Sequence, residues 1–285
     1  MDQEPIEGLT QFSMKRRGFV MTGLITGFTL ATARVEAQAI HTDADGIEAG
    51  PVQIPVKDGA LPGYSARPQG SGPFPTVLVI EEIFGVHEYI KDVCRRFAKL
   101  GFLAVAPELY ARLGDLSKMS DVQQIIRDVI SKAPDATVLS DLDAASRWAI
   151  ANHGDPARLA VTGFCRGGRD TWLYAAHNPD LKAAVAWYGP VAGGVSAIQP
   201  HTAADVAPTL KCPLLGLYGA KDDSIDVKAV QAAASAARQV GKKVEIVVYP
   251  DAGHGFHADY RPSYNAADAA DGWQKALAFF HEHGV

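Results

Sequence analysis

Six short runs rich in apolar residues recur along this chain, and they lack the strict apolar–polar alternation of a half-exposed strand. They cover residues 76–81 (TVLVIE), 102–106 (FLAVA), 159–163 (LAVTG), 183–188 (AAVAWY), 214–218 (LLGLY) and 244–249 (VEIVVY). Continuous apolar runs of this length are typical of strands buried on both faces, as in a parallel sheet covered by helices. The feature therefore predicts a parallel sheet at the centre of the fold.

Helix patterns separate these runs and complete the fold class. They lie at residues 87–100, 136–152, 167–177, 227–240 and 263–283. Strands and helices in alternation predict an α/β fold with a mostly parallel, doubly wound sheet and helices on both faces. Two earlier stretches, 52–57 and 64–68, predict an antiparallel hairpin that opens the sheet. Because no repeat or internal linker divides it, the segment 40–285 is predicted to be a single domain.

Residues 110–134 interrupt this alternation with a polar stretch that contains Gly and Ser and one short helix pattern near 121–130. Ligands of α/β proteins bind at the carboxyl ends of the strands, so an insertion after a strand can cover the site. A plain surface connection is the alternative interpretation of the same stretch.

The amino terminus has the parts of an export signal. Residues 13–20 read SMKRRGFV, an uncharged segment follows at 18–33, and 37–39 read AQA. The Arg16-Arg17 pair is typical of a twin-arginine signal, which predicts cleavage after Ala39 and a periplasmic location. An N-terminal anchor or extension is the alternative, but segment 18–33 is shorter than the roughly 20 residues that span a membrane. No other apolar run is long enough for such a span.

Charge and cysteine content exclude several function classes. The 32 acidic and 27 basic residues give a net charge of −5, so the chain has no broad basic face and we expect no nucleic-acid partner. Cys94, Cys165 and Cys212 are too few and too scattered for a disulfide framework or a zinc site. The nine histidines form no HxxxH pattern, and we predict neither a metal nor another cofactor.

Residues 159–168 (LAVTGFCRGG) carry the strongest chemical signal. A strand passes through G-x-C-x-G-G into a helix, which is the pattern of a nucleophile elbow. The glycines allow a strained turn that lifts Cys165 above the sheet edge, and the helix N-terminus favours a thiolate. The backbone N–H of Arg166 would then donate to an oxyanion.

An elbow nucleophile needs an acid and then a histidine further along the chain. The strand at 214–218 leads to Asp222 and Asp223, and the strand at 244–249 leads to His254 between two glycines. His254 would accept the thiol proton while a carboxylate fixes its tautomer. Asp222 is preferred over Asp223, and His257 is a weaker candidate for the base.

A further carboxylate, Glu82, follows the buried strand at 76–81. Buried near the elbow, it would be desolvated, and we expect its pKa to be raised. Glu81, on the opposite face of the strand, is the structural alternative.

Four blocks together give the chain a family resemblance: 81–86 (EEIFGV), 107–112 (PELYAR), 163–168 (GFCRGG) and 252–256 (AGHGF). The sequence resembles the dienelactone hydrolase (carboxymethylenebutenolidase-like) family of the α/β-hydrolase fold. The resemblance implies a triad of Cys165, His254 and Asp222, and a Glu82 carboxylate that contacts the thiol and helps control its ionisation. It also implies oxyanion donors at the backbone N–H groups of Ile83 and Arg166.

Substrate-binding residues are less clearly matched. Family members hold a substrate carboxylate with two arginines, and the candidates here are Arg112 or Arg127 in the insertion and Arg261 after the histidine. Solvated surface arginines are an equally good interpretation. Tyr110 and Tyr188 are further candidates for the pocket wall, with core packing as the alternative for Tyr188.

These observations predict a cysteine-dependent hydrolase of a small carboxylic ester or lactone, acting through a covalent thioester. A thioesterase or acyltransferase with the same triad is the alternative, and a non-catalytic periplasmic binding protein is a weaker one. The sequence does not specify the oligomeric state.

Overall fold

A computed structural model of the protein describes residues 40–285, and the predicted signal peptide at 1–39 lies outside the described residues. Eight strands form one sheet in the order β1-β2-β4-β3-β5-β6-β7-β8. They are β1 (Ile47–Val56), β2 (Gly59–Pro68), β3 (Phe74–Ile80), β4 (Leu103–Pro107), β5 (Gly154–Phe164), β6 (Ala183–Trp187), β7 (Leu214–Gly219) and β8 (Val244–Tyr249). Strands β3 to β8 are parallel, whereas β1 and β2 form an antiparallel hairpin whose second strand pairs antiparallel with β4. The predicted mostly parallel sheet and opening hairpin are confirmed.

Seven α-helices follow from the same alternation within residues 40–285. They are α1 (Glu88–Lys99), α2 (Val122–Asp128), α3 (Asp135–Ala151), α4 (Arg166–His177), α5 (Ala203–Val206), α6 (Val227–Gln239) and α7 (Ala266–Glu282). On one face, α1 meets α7 where the Phe97 ring lies 4.5 Å from Trp273 and 6.2 Å from Phe280, measured between ring centroids. On the other face, α3, α4, α5 and α6 pack in succession. The sheet is therefore covered on both sides, as predicted.

Several element boundaries differ from the sequence prediction, and two of them have a clear local reason. Strand β5 begins at Gly154, before the apolar run, because Phe74 of β3 pairs with Gly154 across a register shift. Helix α7 begins at Ala266 because the Asn265 side chain caps it by accepting from the backbone N–H of Asp268. Such caps satisfy N–H groups that a helix cannot bond internally.

The predicted insertion consists of α2 between two short 3₁₀ turns, Leu116–Lys118 and Ile130–Lys132. Its Leu116 side chain reaches the turn that follows β3, close to Gly85. The Gln199 amide anchors its far end by donating to the carbonyls of Ile130 at 2.7 Å and Ala133 at 2.8 Å. The insertion therefore lies against loops that follow β3 and β6.

The carboxyl ends of the parallel strands meet along one edge of the sheet. The segments that follow these ends carry Glu82 after β3, Cys165 after β5, Tyr188 after β6, Asp222 after β7 and His254 after β8. Residues far apart in sequence thus meet at one edge, where α/β proteins place their sites. Across residues 40–285, no helix has the length and hydrophobicity that a membrane crossing requires.

Candidate active site

Cys165 occupies the strained turn that the glycine pattern predicts. Its φ of 55° and ψ of −116° lie in a region that L-residues rarely adopt, and its N–H donates to the Trp187 carbonyl at 3.0 Å. A Cβ on Gly163 would lie 2.2 Å from the Gly167 carbonyl oxygen, and one on Gly167 would lie 2.4 Å from the Glu81 carbonyl oxygen. The strand and helix approach each other so closely that only glycine fits at both positions.

The sheet edge brings Cys165, His254 and Asp222 into one line of hydrogen bonds. His254 Nε2 lies 3.1 Å from the Cys165 sulfur, and His254 Nδ1 lies 2.7 Å from Asp222 Oδ2. Asp222 is buried, whereas Asp223 is exposed. The structure thus brings together the three residues predicted as nucleophile, base and acid, and of the two neighbouring aspartates it places Asp222 in contact with His254.

The groups on either side of His254 favour its protonated form, the imidazolium. Burial alone would lower the pKa of His254, but the adjacent Cys165 sulfur and Asp222 carboxylate raise it to about 10. Burial would raise the pKa of Asp222, yet His254 and the bonds from Ser224 hold it below its usual value. At neutral pH the geometry therefore favours a protonated His254 between a carboxylate and a sulfur.

Two serines that the sequence analysis did not single out hold Asp222 and His254. Ser224 donates both its hydroxyl, at 2.5 Å, and its backbone N–H, at 2.9 Å, to Asp222 Oδ1. Ser263 donates its hydroxyl to the His254 carbonyl at 2.6 Å. With Ser224 on Oδ1 and His254 on Oδ2, both oxygens of Asp222 are engaged, which fixes the orientation of the carboxylate relative to His254.

Glu82 is buried at the same edge, but its partners differ from the expectation. Arg261 Nη2 donates to Glu82 Oε1 at 2.9 Å, the Tyr260 hydroxyl donates to Oε2, and His87 Nε2 lies 3.4 Å from Oε2. Burial by itself would raise the pKa of Glu82, but the Arg261 charge and the contacts with His87 and Tyr260 lower it to about 2. The prediction of a raised pKa is therefore wrong, because it did not include a buried arginine.

The structure does not place Glu82 in hydrogen-bond contact with the Cys165 sulfur, whose bonded partner among residues 40–285 is His254. Glu82 and Arg261 instead form a buried ion pair beside the elbow. Cys165 and Arg261 still interact electrostatically. Burial alone would lower the pKa of Arg261, but Glu82, Tyr260 and, to a smaller extent, the Cys165 sulfur raise it.

Glu81 points into a different environment. Its Oε1 accepts the Leu109 N–H at 2.8 Å, and burial together with the nearby Glu108 raises its pKa well above the usual value. A neutral Glu81 thus ties the end of β3 to the residues after β4. Of the two neighbouring glutamates, Glu82 is the one that interacts with Arg261 at the triad edge.

Two backbone N–H groups at the carboxyl edge of the sheet have no protein acceptor among the described residues. Within residues 40–285, neither Ile83 nor Arg166 donates its backbone N–H to another protein group. Ile83 lies in the turn after β3, and Arg166 is the first residue of α4. These are the positions at which the sequence predicted oxyanion donors.

The predicted substrate-binding residues separate into two groups. Tyr188 and Arg261 lie at the site: the Tyr188 ring packs edge-on against His254 with 5.3 Å between centroids, and Arg261 holds Glu82. Tyr110 is buried and donates its hydroxyl to Asp170 at 3.0 Å. Arg112 donates to Asp58 at 2.7 Å and to Asp141 at 2.5 Å. Arg127 is exposed and donates to Asp128 at 3.2 Å.

His257, the alternative base, belongs to the core. Its Nδ1 lies 2.6 Å from the Tyr89 hydroxyl, and its ring stacks on Phe164 and Trp273. Burial and the positive charge of Arg96 lower the pKa of His257 to about 3. A neutral imidazole held in this way is not placed to act as the base for Cys165.

Tyr260 and His87 are two further site residues that sequence reasoning missed. Tyr260 meets Glu82 across 178 positions of the chain, and no motif connects the two. His87 precedes helix α1 and packs edge-on against Tyr260, with ring centroids 5.0 Å apart. Within the described part of the chain, no three His, Cys, Asp or Glu residues are arranged to hold a metal ion.

Several known proteins are similar to this chain in sequence or in structure. The "Dienelactone hydrolase family" matches residues 61–284. A Methylorubrum extorquens protein named "Putative carboxymethylenebutenolidase" is 56% identical and covers 96% of this chain and 95% of its own length. A Bradyrhizobium protein named "Probable 2-oxo-3-(5-oxofuran-2-ylidene)propanoate lactonase" is 32% identical over 77% of this chain and 88% of its own. The crystal structure of a "Putative Dienelactone Hydrolase" from Klebsiella pneumoniae superposes with a TM-score of 0.82 at 52% identity, covering 84% of this chain and all of that one.

Proposed function

Since the chain belongs to the dienelactone hydrolase family of α/β-hydrolase fold, and is thereby a hydrolase of lactones or esters, we propose that it acts through a covalent thioester on Cys165. The observation that carries this proposal is the continuous line from the Cys165 sulfur through His254 to Asp222, at 3.1 and 2.7 Å. A thiol, an imidazole and a carboxylate at these distances have the geometry of nucleophilic acyl transfer.

In the first half-reaction, the Cys165 thiolate attacks the carbonyl carbon of the ester or lactone. A tetrahedral oxyanion forms, and the carbon–oxygen bond to the alcohol portion then breaks. His254 Nε2 gives its proton to the departing oxygen, which leaves an acyl group on sulfur. The bond between Asp222 and His254 Nδ1 keeps Nε2 directed at the reacting atoms.

In the second half-reaction, neutral His254 takes a proton from water, and the hydroxide attacks the thioester carbon. The carbon–sulfur bond breaks, the acid leaves, and the thiolate and imidazolium are restored. Cys165 keeps 7% of its surface exposed and the His254 side chain 15%, so the pair meets solvent through a restricted opening. A small acyl group suits such an opening better than a peptide chain.

The proposed oxyanion hole uses the N–H groups of Ile83 and Arg166. Support comes from their lack of protein acceptors within residues 40–285 and from their positions, after β3 and at the start of α4. Two fixed donors in a buried site stabilise charge that develops only in the transition state. The ion pair of Glu82 with Arg261 holds the residue next to Ile83, so it positions one of these donors.

The proposed substrate is a small lactone. A relative at 32% identity is named for a lactonase that acts on an oxofuranylidene acid. Opening such a ring releases an oxygen that is stabilised by conjugation and is a better leaving group than a simple alkoxide, which suits attack by a thiolate.

The decisive experiment measures the acyl-enzyme together with turnover. Purified protein is mixed with a lactone or an aryl ester, quenched in acid and weighed by intact mass spectrometry. We expect an acyl adduct on the peptide containing Cys165, and we expect neither adduct nor turnover in Cys165→Ala. Turnover that survives Cys165→Ala would contradict the proposal. Added alcohol or thiol distinguishes the alternatives, because a thioesterase or acyltransferase would prefer thioester donors or transfer the acyl group to the acceptor.

We also propose that the protein is exported to the periplasm by its twin-arginine signal. Cell fractionation tests this, with Arg16→Lys and Arg17→Lys together as the control. The parent chain should appear in the periplasm and the paired variant in the cytoplasm, whereas equal distribution would contradict export.

A further inference from the structure

The first described residues, 40–45, lie along helix α1 and are held there by carboxylates; we name them the N-terminal strap. The Ile40 N–H donates to Asp259 Oδ2 at 3.2 Å, and the Thr42 N–H donates to Asp92 Oδ1. Ile40 is the residue that would become the amino terminus if the signal were cleaved after Ala39. Its backbone nitrogen therefore lies beside an acidic side chain at the point where a new positive charge would form.

Asp259 is suited to receive such a charge. Its side chain is 2% exposed, and Oδ2 also accepts from Arg96 Nη2 at 2.6 Å. Its other oxygen, Oδ1, is buried and has no hydrogen-bond partner within residues 40–285. Burial raises the pKa of Asp259, while Arg96 and the Ile40 N–H oppose the rise. A buried carboxylate with one unsatisfied oxygen gains from a further cation.

The charges around Asp259 are one cation short of balance. The group consists of two guanidiniums and three carboxylates: Arg95, Arg96, Glu88, Asp92 and Asp259. Arg95 Nη2 lies 2.5 Å from Glu88 and 3.1 Å from Asp92. Arg96 lies 2.5 Å from Asp92 and 2.6 Å from Asp259. An additional positive charge at the position of the Ile40 nitrogen would neutralise the group.

His41 does not take the place of that cation. Its Nδ1 lies 3.3 Å from both Glu88 Oε1 and Arg95 Nη2, at the exposed end of the group. Its side chain is 72% exposed, so its contact with Glu88 is screened by water. The buried end, at Asp259, is closest to the Ile40 nitrogen.

We propose that cleavage of the Ala39–Ile40 bond creates an α-ammonium group on Ile40 that forms an ion pair with the buried carboxylate of Asp259. Water supplies the hydroxyl that completes the Ala39 carboxyl group and the proton that converts the Ile40 amide nitrogen to an amine, which takes a further proton from solvent. The proposal rests on the proposed export signal and is independent of the proposed hydrolysis. The structure supports it by the position of the Ile40 nitrogen, the unsatisfied Asp259 oxygen and the missing cation.

The pair would connect processing of the amino terminus to the active site. Asp259 precedes Tyr260 and Arg261, and both of these residues donate to Glu82. A strap fixed at Asp259 would therefore fix the segment that holds Glu82. We expect the processed chain to be more stable to heat than the unprocessed chain, by at least about 2 °C in Tm.

The test begins from the full-length gene product. The parent chain is recovered from the periplasm, and the precursor is recovered from the cytoplasm as the variant with Arg16→Lys and Arg17→Lys. Intact mass should show that the exported protein begins at Ile40, and its Tm should exceed that of the precursor. A different amino terminus would overturn the proposal, whatever the protein hydrolyses.

The second measurement is the rate at which acetic anhydride acylates the Ile40 α-amine, followed by peptide mapping. Pairing with Asp259 should raise the pKa of the amine by at least one unit above its usual range of about 7.7–8.0, and each unit slows acylation tenfold at neutral pH. We therefore expect acylation to be about tenfold faster in Asp259→Asn.

Arg96→Gln is the matched control, because it removes the other cation of Asp259 and leaves the carboxylate. The α-amine should stay protected in this variant. Should Asp259→Asn fail to fold, the pH dependence of acylation in the parent protein still reports the pKa of the amine. An amine that titrates in its usual range, or that reacts equally fast in all folded variants, would overturn the proposal.

Discussion

The Arg261 guanidinium donates to the Glu82 carboxylate at 2.9 Å, and both side chains are buried beside the elbow that carries Cys165. This ion pair joins the turn after β3 to the loop after β8. One partner comes from a motif and the other from a segment that follows the triad histidine. The arrangement explains why the carboxylate is ionised despite its burial.

Removing one member of this pair should destabilise the protein strongly. We expect Glu82→Gln or Arg261→Met to lower the free energy of unfolding by about 3–5 kcal/mol, because the remaining charge stays buried without its partner. The variant that carries both substitutions should lose less unfolding free energy than the two single variants lose together. Urea unfolding of the parent, the two single variants and the double variant measures this coupling. Lys221→Met, which breaks an exposed pair with Asp251, is the control and should lose less than about 1 kcal/mol. Additive losses would show that the pair is not coupled.

Acid should weaken the fold through Glu82. Its pKa is about 2 in the folded chain and 4.5 when unperturbed, so its stabilising contribution is present above about pH 4.5 and is lost as the pH falls through 2. The difference in unfolding free energy between the parent and Glu82→Gln should therefore shrink from pH 6 to pH 2.5. A difference that is constant over this range would contradict the depressed pKa.

Asp222 and Asp223 should differ sharply in their effect on turnover. Asp222→Asn removes the carboxylate bonded to His254 and should lower kcat roughly 10²–10⁴-fold. Asp223→Asn changes an exposed neighbour and should leave kcat within about twofold, since it removes no contact of the triad. Steady-state hydrolysis of one lactone by both variants checks the expectation, and equal losses would place the acid elsewhere.

The pH at which activity falls on the alkaline side should report the pKa of His254. Its pKa of about 10 predicts that kcat/KM falls as the pH rises through 10, because the proton for the departing oxygen is lost. Since Asp222 helps to raise this pKa, the limit should move to lower pH in Asp222→Asn. The pH profile of the residual activity measures the shift, and an unchanged limit would assign it to another group.

The elbow should not tolerate a methyl group at Gly163. The added Cβ would lie 2.2 Å from the Gly167 carbonyl oxygen, and both backbones are held by the strand and helix. We expect Gly163→Ala to lose about 3 kcal/mol or more of unfolding free energy, or to fail to fold. Gly194→Ala, at a position with open space, should change stability by less than about 0.5 kcal/mol. A stable Gly163→Ala protein would contradict the close approach.

Much of the architecture could be predicted because it depends on local patterns. Buried strands such as β7 are continuous apolar runs, and the glycines around Cys165 identify a strained turn without reference to any other element. The start of β5 could not be predicted, because its polar residues around Gly154 join the sheet only through pairing with Phe74.

The sequence by itself therefore determined the α/β class and predicted the elbow with its cysteine and the order of Asp222 and His254, since each depends on spacing along the chain. Only the tertiary structure decided between Asp222 and Asp223, assigned His257 to the core and gave Glu82 its partners. Those outcomes depend on burial and on charges that come together from distant segments. The same carboxylate has a raised or a lowered pKa according to whether a cation such as Arg261 lies beside it.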